Sequence, residues 1–445
     1  MRPTWRARSR AASRNLTTEV RETIFALSSG VPPCGVAIIR VSGPDAGTAL
    51  KGLTGSLPTP RRASLRQVSS PEAGWLDEAL VLWLPGPNSA TGEDCAEIHC
   101  HGGRAVIRAI EHALEAIPGL RRAAPGEFTR RAFSNGRIDL LQADALGDML
   151  SAETELQRAV LASALGGGAS TQVAGWREAI LSASAAVEQE LDFSDEDEEG
   201  VAPASAWRKT VLEAVDEMRV WLATPSADRL REGLRIVLAG PPNSGKSSLF
   251  NALLDEAAAI VSPIAGTTRD AIERPIAIDG APFVLVDTAG LRDEGAEEIE
   301  AMGIVRAEAE VARADIVLWL GPEGEGPEHA LEVASMMDLP EYAPKGAGAK
   351  SVSSETREGI AELMQAISSL GRDLLPQPGQ VAISQRYREH LGHACEALDG
   401  AAQIDDLLLA GEGLRQARHD MDAMLGNVAT EDMLDSLFGR FCIGK

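Results

Sequence analysis

The chain has 445 residues, a formal net charge of −24 and 44% hydrophobic residues. That charge argues against a surface that binds nucleic acid non-specifically, because phosphates would be repelled. No apolar run approaches the roughly 18 residues of a membrane-spanning helix. The length predicts two or three domains, and five scattered cysteines favour a reducing compartment over a disulfide framework.

Residues 1–21 differ in composition from the rest of the chain. They contain six arginines, several Ser and Ala residues and one acid, Glu19. This composition is typical of a mitochondrial transit peptide. The alternative is a start codon assigned too far upstream, which would add a disordered extension to a cytoplasmic bacterial protein. The acidic body of the chain favours the second interpretation.

Residues 22–137 have the pattern of an α/β domain. Three apolar segments bounded by Gly or Pro predict buried strands: GVAIIRVSG, EALVLWLPG and CAEIHCHGG. The next segment, GRAVIRAIEHALEAI, has apolar residues at helical spacing and predicts an amphipathic helix. The third strand carries His99, Cys100 and His101, which resemble a metal cluster. Because side chains alternate along a strand, only the two histidines share a face, and a zinc site is not expected.

Two helical regions enclose a second α/β region. Residues 138–230 are rich in Ala and Glu, and their acidic run Asp192–Glu199 is interpreted as a solvated loop. Strands return in β-α-β order over residues 231–370, and helices resume over 371–445 after the linker-like segment LLPQPGQ. The predicted fold class is therefore a multidomain α/β and all-α protein, in which a central helical domain is interrupted by an inserted α/β domain.

The strongest signal is the segment LRIVLAGPPNSGKSSLFNALL. Gly240–Ser247 satisfy G-x-x-x-x-G-K-[ST] between a predicted strand, 234–239, and a helix that begins at Lys246. The backbone N–H groups of such a loop and helix N-terminus cradle phosphates, Lys246 contacts the β- and γ-phosphates, and the Ser247 hydroxyl binds Mg²⁺. The predicted nucleotide-binding residues of the loop are Asn243, Ser244, Gly245, Lys246, Ser247 and Ser248.

Two further segments favour a GTPase. The inserted domain is therefore predicted to be a Ras-like P-loop domain, with a mixed sheet flanked by helices. PFVLVDTAG is a strand ending in D-x-x-G, where Asp287 holds magnesium through water and Gly290 contacts the γ-phosphate. IVSPIAGTTRD supplies the other switch, with Thr267 and Thr268 as candidate metal ligands. The predicted binding residues of both segments are Ser262, Pro263, Ile264, Ala265, Gly266, Thr267, Thr268, Asp287, Thr288, Ala289 and Gly290.

The base-reading motif departs from its usual form, N-K-x-D. Residues 315–355 contain no Asn, and in VASMMDLP the three motif positions are Ser335, Met336 and Asp338. The Asp338 carboxylate is predicted to accept hydrogen bonds from guanine N1 and N2, so guanine preference is expected but weakened. The predicted loop near guanine O6, in SVSSETREGI, contributes Ser353 and Ser354.

Several separate segments resemble the MnmE (TrmE) family of tRNA modification GTPases over residues 22–445. They are TIFALSSG, GVAIIRVSGP, PGPNSATGEDCAEIHCHGG, PGEFTRRAFSNGRIDLLQADAL, GPPNSGKSSLFNAL, IAGTTRD, DTAGLRD and FCIGK. The resemblance implies an N-terminal folate-binding and dimerisation domain (22–137), a helical domain in two parts (138–230 and 371–445) and an inserted G domain (231–370).

The resemblance also implies the site residues. GTP hydrolysis would be activated by K⁺, bound by Asn243, Ser262, Ile264 and Thr267, while Mg²⁺ would be bound by Ser247 and Thr268. Glu300 in EEIEAMGI matches the glutamate that orients the attacking water, with one extra residue between it and Asp287. A 5-formyl-tetrahydrofolate or related folate would be bound by Arg40, Glu97, Arg137 and Lys445. Arg137 stands where the family usually has Lys.

The function implied by the resemblance is the addition of an aminomethyl-type group to carbon 5 of the wobble uridine of certain tRNAs. A homodimer would act with a flavin-dependent partner of the MnmG (GidA) type in a heterotetramer. The added carbon would come from folate, and no membrane partner is expected. One alternative is a ribosome-assembly GTPase of the Era or Der kind, which predicts a KH-like domain or a second G domain that the sequence does not show. The other is a nucleotide-regulated scaffold, suggested by the altered base-reading motif.

The terminal segment FCIGK allows three interpretations of Cys442. As a C-a-a-X box it would carry a prenyl group, but the terminal Lys and the few nearby cations argue against lipid attachment. A thiol role in handling the one-carbon unit is the second interpretation. The third, a tail buried at the folate pocket or dimer interface, is favoured.

Overall fold

The computed structural model describes residues 22–192, 205–259, 272–287 and 307–445. Contacts divide the chain into two compact units. The first comprises the chain up to Ala143 together with Ala429–Lys445, and the second comprises Asp144–Val428.

The first unit is built on a six-stranded sheet with the order β3-β4-β5-β2-β1-β6, antiparallel except for the parallel pair β1–β6. Its strands are β1 Thr23–Leu27, β2 Cys34–Ser42, β3 Ser64–Ser70, β4 Gly74–Leu84, β5 Cys95–Gly102 and β6 Leu120–Arg122. Its helices are α1 Ala46–Thr54, α2 Arg104–Glu115, α3 Glu127–Ser134 and, at the end of the chain, α14 Glu431–Phe438. The three predicted strands and the predicted helix are confirmed as β2, β4, β5 and α2.

The two faces of this sheet pack against different helices. Phe25 and Ile39 belong to the core that contains the apolar faces of α1 and α2. Ile24 and Ala26 point the opposite way and pack with Phe128 of α3. The alternation of side chains along β1 thus places α3 on the opposite face from α1 and α2.

The last helix and the tail belong to the first unit. Arg130 of α3 forms ion pairs with Glu431 and with Asp435 of α14, and the rings of Phe133 and Phe438 are 6.1 Å apart. The sequence prediction instead grouped residues 371–445 with the helical domain. The grouping differs for α14 because these contacts join segments that are far apart in the chain.

The second unit contains a seven-stranded sheet with the order β13-β12-β11-β7-β10-β9-β8. The neighbours from β13 to β10 are parallel, and β9 and β8 are antiparallel. The strands are β7 Leu234–Ala239, β8 Ala258–Ala259, β9 Ile272–Ile278, β10 Ala281–Asp287, β11 Ile316–Trp319, β12 Leu331–Ala334 and β13 Lys350–Ser351. Helices near this sheet are α9 Lys246–Glu256, α10 (described from 307 to 312) and α11 Ile360–Leu374.

The remaining helices form the helical part of the chain. They are α4 Leu140–Ser151, which spans the boundary between the units, α5 Glu155–Leu165, α6 Gly168–Asp192, α7 Ser205–Ala223, α8 Ala227–Glu232, α12 Gln385–Gln403 and α13 Leu407–Leu425. Helices α6, α7, α12 and α13 pack along one another, with buried apolar stripes such as Val173, Trp176 and Ile180 on α6. The predicted fold class, mixed sheets flanked by helices together with an all-helical region, is confirmed.

Candidate functional site

The phosphate loop joins β7 to α9, as the sequence predicts. Three of its residues have positive φ: Gly240 (149°), Asn243 (61°) and Gly245 (85°). Glycine adopts this conformation without a steric penalty, and Asn tolerates it better than most residues. The loop therefore closes into a tight curve that ends at the N-terminus of α9, where backbone N–H groups are free to bind an anion.

Two side chains of the loop segment have defined hydrogen-bond partners. Lys246 is buried, and its Nζ donates to the carbonyl oxygens of Gly240 (3.0 Å) and Pro241 (2.7 Å). β10 lies beside β7 and brings Asp287 opposite Leu238. The Ser247 hydroxyl donates to Asp287 Oδ2 at 3.0 Å. This pair of hard oxygen ligands fits Mg²⁺.

A cavity of about 770 Å³ opens beside this loop. Its walls include Gly240 and Lys246 from the phosphate loop, Val311 from α10, and Trp319 and Pro327. The connection from β11 to β12 contains no helix, although parallel strands are usually joined through one. It is instead a loop folded around Trp319, whose Nε1 donates to the carbonyl oxygen of Pro322 at 2.8 Å.

The altered base-reading motif lies next to the phosphate loop. The Ser335 hydroxyl donates to the carbonyl oxygen of Ser244 at 2.8 Å. Asp338 is exposed. Ser353 is fully buried, and its hydroxyl accepts a hydrogen bond from the N–H of Thr356 at 3.0 Å. Ser353 thus stabilises its own turn, and Ser354 next to it is half-buried.

Several predicted site residues lie outside the described part of the chain. The first switch, Ser262 to Thr268, falls there, as do Thr288, Ala289, Gly290 and the predicted catalytic Glu300. Of the predicted potassium ligands, the structure therefore describes Asn243, and of the predicted magnesium ligands, Ser247. The roles of the other residues stay predictions.

In the first unit, Arg40 and Glu97 are cross-strand neighbours on β2 and β5. Arg40 donates to Glu97 Oε1 through Nε (3.1 Å) and Nη2 (2.9 Å), and its guanidinium lies 5.8 Å from the ring centre of Phe128. His99 Nε2 is 3.2 Å from Glu97 Oε2. Burial raises the pKa of the Glu97 carboxyl, but His99 and Arg40 outweigh it, and the pKa lies below its ordinary value. Glu97 is thus held as a carboxylate between two donors.

In the sequence, His99 resembles a metal ligand, and no other role is predicted for it. The structure gives it a different partner: it shares a face of β5 with Glu97, two residues away, as the period of a strand allows. Cys100 points to the other side, is buried in the core, and has a pKa raised to about 11 by burial. The period-2 pattern is the signal that could have identified the Glu97–His99 contact.

The predicted folate residue Lys445 lines a cavity at the end of the chain. Lys445 and Cys442 line a cavity of about 590 Å³ together with Phe25, Glu111 and Arg122. The tail reaches it because Ile443 forms a β-bridge with Pro125 and Gly444 lies against the carbonyl oxygen of Leu27. Within the described residues, the lining of this cavity does not include Arg40, Glu97 or Arg137. The structure thus brings Arg40 together with Glu97, and Lys445 together with Cys442.

The chain matches known proteins along nearly its whole length. Residues 23–137 match the family described as "GTP-binding protein TrmE N-terminus", and residues 140–442 match the "MnmE helical domain". The chain is 56% identical over 425 residues to the tRNA modification GTPase MnmE of Erythrobacter litoralis, covering 95% of this chain and 100% of the relative. Identity to proteins of the same name is 53% in Novosphingobium aromaticivorans and 51% in Rhizorhabdus wittichii, covering 95% of this chain and 100% and 97% of those relatives.

Proposed function

Because the chain belongs to the MnmE family of tRNA modification GTPases and is a GTP hydrolase acting on tRNA, we propose that it modifies carbon 5 of the wobble uridine of certain tRNAs. The group added is of the aminomethyl type, and its carbon comes from a folate. The GTPase part of this proposal is supported by the phosphate site, where Lys246 Nζ lies within the phosphate loop and the Ser247 hydroxyl donates to Asp287.

GTP hydrolysis in this proposal depends on two cations. Mg²⁺ is bound by Ser247 and Thr268 and neutralises charge on the phosphates. K⁺ is bound by Asn243, Ser262, Ile264 and Thr267 and supplies the positive charge that other GTPases take from an arginine. Glu300 orients the attacking water. The exposed side chain of Asn243, on a residue with φ of 61°, supports the potassium assignment because its carbonyl oxygen is free to turn toward an ion.

The potassium assignment is tested by replacing Asn243. Asn243→Ala should bind GTP but lose the stimulation of hydrolysis by KCl relative to NaCl, because Ala offers no oxygen to a desolvated cation. Asn243→Gly is the matched control for the backbone, since Gly adopts positive φ without strain. It should lose the stimulation as well. Hydrolysis by both variants that remains potassium-stimulated would contradict the assignment.

We propose that Arg40, Glu97, Arg137 and Lys445 bind 5-formyl-tetrahydrofolate. The fixed carboxylate of Glu97 suits the amide-like edge of a pterin, and arginine suits the carboxylates of the glutamate tail. Titrating the protein with this folate should give saturable binding that Glu97→Gln weakens about tenfold or more. The absence of binding to the folded protein would contradict the one-carbon role.

The proposed function requires partner proteins. The chain acts as a homodimer with a flavin-dependent partner of the MnmG type, in the cytoplasm. The bacterial origin of the curated relatives supports this location. Among the described helices, none has the length and apolar character needed to cross a bilayer.

A further inference from the structure

One segment of the first unit is basic within an acidic chain. Residues 46–71 contain α1, β3 and their connection, and they include no Asp or Glu. Over the whole chain, by contrast, 66 acidic residues outnumber 42 basic ones. The segment carries four cations, which we call the β3 cations: Lys51, Arg61, Arg62 and Arg66. They concentrate positive charge locally in a protein with a net charge of −24.

Within the described residues, no carboxylate lies within ion-pair distance of the β3 cations. Arg61 and Arg66 donate to backbone carbonyl oxygens instead. The arginines on and before α3 are different, because each of them pairs with at least one carboxylate: Arg121, Arg122, Arg130 and Arg131. An arginine that is already paired offers little net charge to a third group. The β3 cations, in contrast, keep their charge available to an anion from outside the chain.

The start of β3 is fixed by Arg61. Its N–H donates to the carbonyl oxygen of Trp83 at 2.8 Å, and its Nη2 donates to that of Pro85 at 2.9 Å. Since a guanidinium has five donors, Arg61 can hold this turn and still donate to another acceptor. The next residue, Arg62, is exposed. The segment thus has a fixed backbone beside an open cationic side chain.

The other β3 cations follow the edge of the sheet. β3 is the outermost strand in the order β3-β4-β5-β2-β1-β6. Arg66 lies on this strand, and Lys51 is exposed on α1, which packs against it. Arg62 and Arg66 are four residues apart, a separation of at most about 14 Å along the chain. Since phosphates follow one another every few Å along a nucleic acid strand, both arginines can reach the same strand.

Protection of the sheet edge does not account for this pattern. Charged side chains on an edge strand prevent pairing with other chains, which would explain Arg66. It would not explain Lys51 on α1 or Arg62 before β3. A carboxylate would also protect the edge, yet the segment has none. The preference for one sign of charge indicates an anionic partner.

We propose that the β3 cations are a contact surface for the phosphate backbone of the tRNA substrate. The inference rests on the tRNA substrate of the proposed function and adds the place where this chain holds the RNA. Lysine and arginine bind phosphate oxygens without reading the bases, so the surface contributes affinity and position but not the choice of tRNA.

The test is the affinity of the full-length protein for a tRNA with uridine at the wobble position, measured by fluorescence anisotropy at several KCl concentrations. Arg62→Ala and Arg66→Ala should each raise the dissociation constant about three- to tenfold at low salt. Each should also make the dependence of log affinity on log salt shallower by about one, because one phosphate contact is lost. Arg62→Lys keeps the charge and should stay within about twofold of the unmodified protein.

Two controls separate a phosphate contact from other effects. Arg372 is exposed on α11 of the second unit, and Arg372→Ala removes the same charge from a different place. It should leave both the affinity and its salt dependence unchanged. GTP hydrolysis and the melting temperature should be the same in Arg62→Ala as in the unmodified protein, which excludes a loss of folding as the cause of weaker binding.

Four outcomes would overturn the proposal. Unchanged affinity and salt dependence in both Arg62→Ala and Arg66→Ala would show that these cations do not touch the RNA. An equal loss in Arg372→Ala would make the effect one of net charge alone. A changed oligomeric mass in sedimentation, with tRNA affinity unchanged, would assign the edge to a protein partner. Absence of tRNA binding by the unmodified protein would overturn this inference and leave the proposed function standing, because the flavin-dependent partner would then hold the tRNA.

Discussion

At the start of α3, the carboxylate of Glu127 binds three donors. Arg121 donates to both of its oxygens (2.7 and 2.8 Å), and Arg131 and the N–H of Ala124 each donate at 2.9 Å. Burial raises the pKa of this carboxyl, but the three partners outweigh burial and lower the pKa to about 2. One side chain thus connects α3 to the turn before it and to β6.

The lowered pKa makes the contribution of Glu127 dependent on pH. The folded-state pKa of Glu127 lies below that of the unfolded chain, so the ionised carboxylate stabilises the folded state by about 3 kcal/mol. This stabilisation is complete above about pH 4.5 and is lost as the pH falls to about 2. Glu127→Gln should therefore lower the free energy of unfolding at pH 7, and the deficit should shrink by about 1 kcal/mol at pH 3.5. Urea denaturation at both pH values measures this, and an equal deficit at both would contradict it.

Helix α3 is flanked by two glycines with positive φ. Gly126 has a φ of 67°, and Gly136 has a φ of 66°. A Cβ on Gly126 would lie 2.2 Å from the carbonyl oxygen of Phe438 in α14, whereas a Cβ on Gly136 would meet nothing within 4 Å. Of these two glycines, Gly126 is the one in close contact with the backbone of α14.

The two glycines form a matched pair for a stability test. Gly136→Ala should cost only about 1 kcal/mol, the penalty of positive φ. Gly126→Ala carries the same penalty and also displaces α14, so it should cost about 2–4 kcal/mol. Thermal unfolding and hydrogen exchange of the α14 amides measure the difference. Equal melting temperatures with unchanged α14 protection would show that the contact is not tight.

The origin of each contact explains what could be predicted from the sequence. The phosphate loop, β7 and the start of α9 follow from a local pattern of consecutive residues, and the predicted strand 234–239 and helix start at Lys246 are confirmed. The packing of α14 on α3 depends on Arg130 and Asp435, which are 305 residues apart, and no local pattern indicates it. The Ser335–Ser244 bond likewise joins residues 91 positions apart, so the substituted motif could be located but its attachment could not.

Within the second unit, the chain enters and leaves the seven-stranded sheet at one place. The N–H of Ala227 donates to the carbonyl oxygen of Ile383 at 3.1 Å, and the N–H of Gln385 donates to Asp228 Oδ2 at 2.6 Å. Insertion of one domain into another requires such adjacent crossing points, because the host must close around the insert. The inserted α/β region is thus anchored by hydrogen bonds between its two connections.

The core of the inserted region extends beyond the bounds predicted from sequence. Leu230 and Leu375 are each 1% exposed and belong to the same apolar cluster as Leu234 and Phe283. Val160 of α5 joins that cluster, and the N–H of Leu156 donates to the carbonyl oxygen of Gly280 in the turn between β9 and β10. Residues of one apolar cluster therefore lie both inside and outside the predicted bounds 231–370.

A fragment of residues 225–385 should consequently be more stable than one of residues 231–370. Burying two leucines contributes about 1.5–3 kcal/mol each, so the difference in the free energy of unfolding should be about 3–6 kcal/mol. Thermal unfolding of both fragments measures this difference. GDP and Mg²⁺ are left out because nucleotide binding would stabilise both fragments.

The matched control is the longer fragment with Leu230→Ala and Leu375→Ala, which has the same length but lacks the two buried leucine side chains. It should melt below the unmodified longer fragment by most of this difference, since the two leucines supply apolar burial at the added ends. Equal melting temperatures for the two unmodified fragments would show that the core is complete within 231–370 and that the sequence had placed the boundaries correctly.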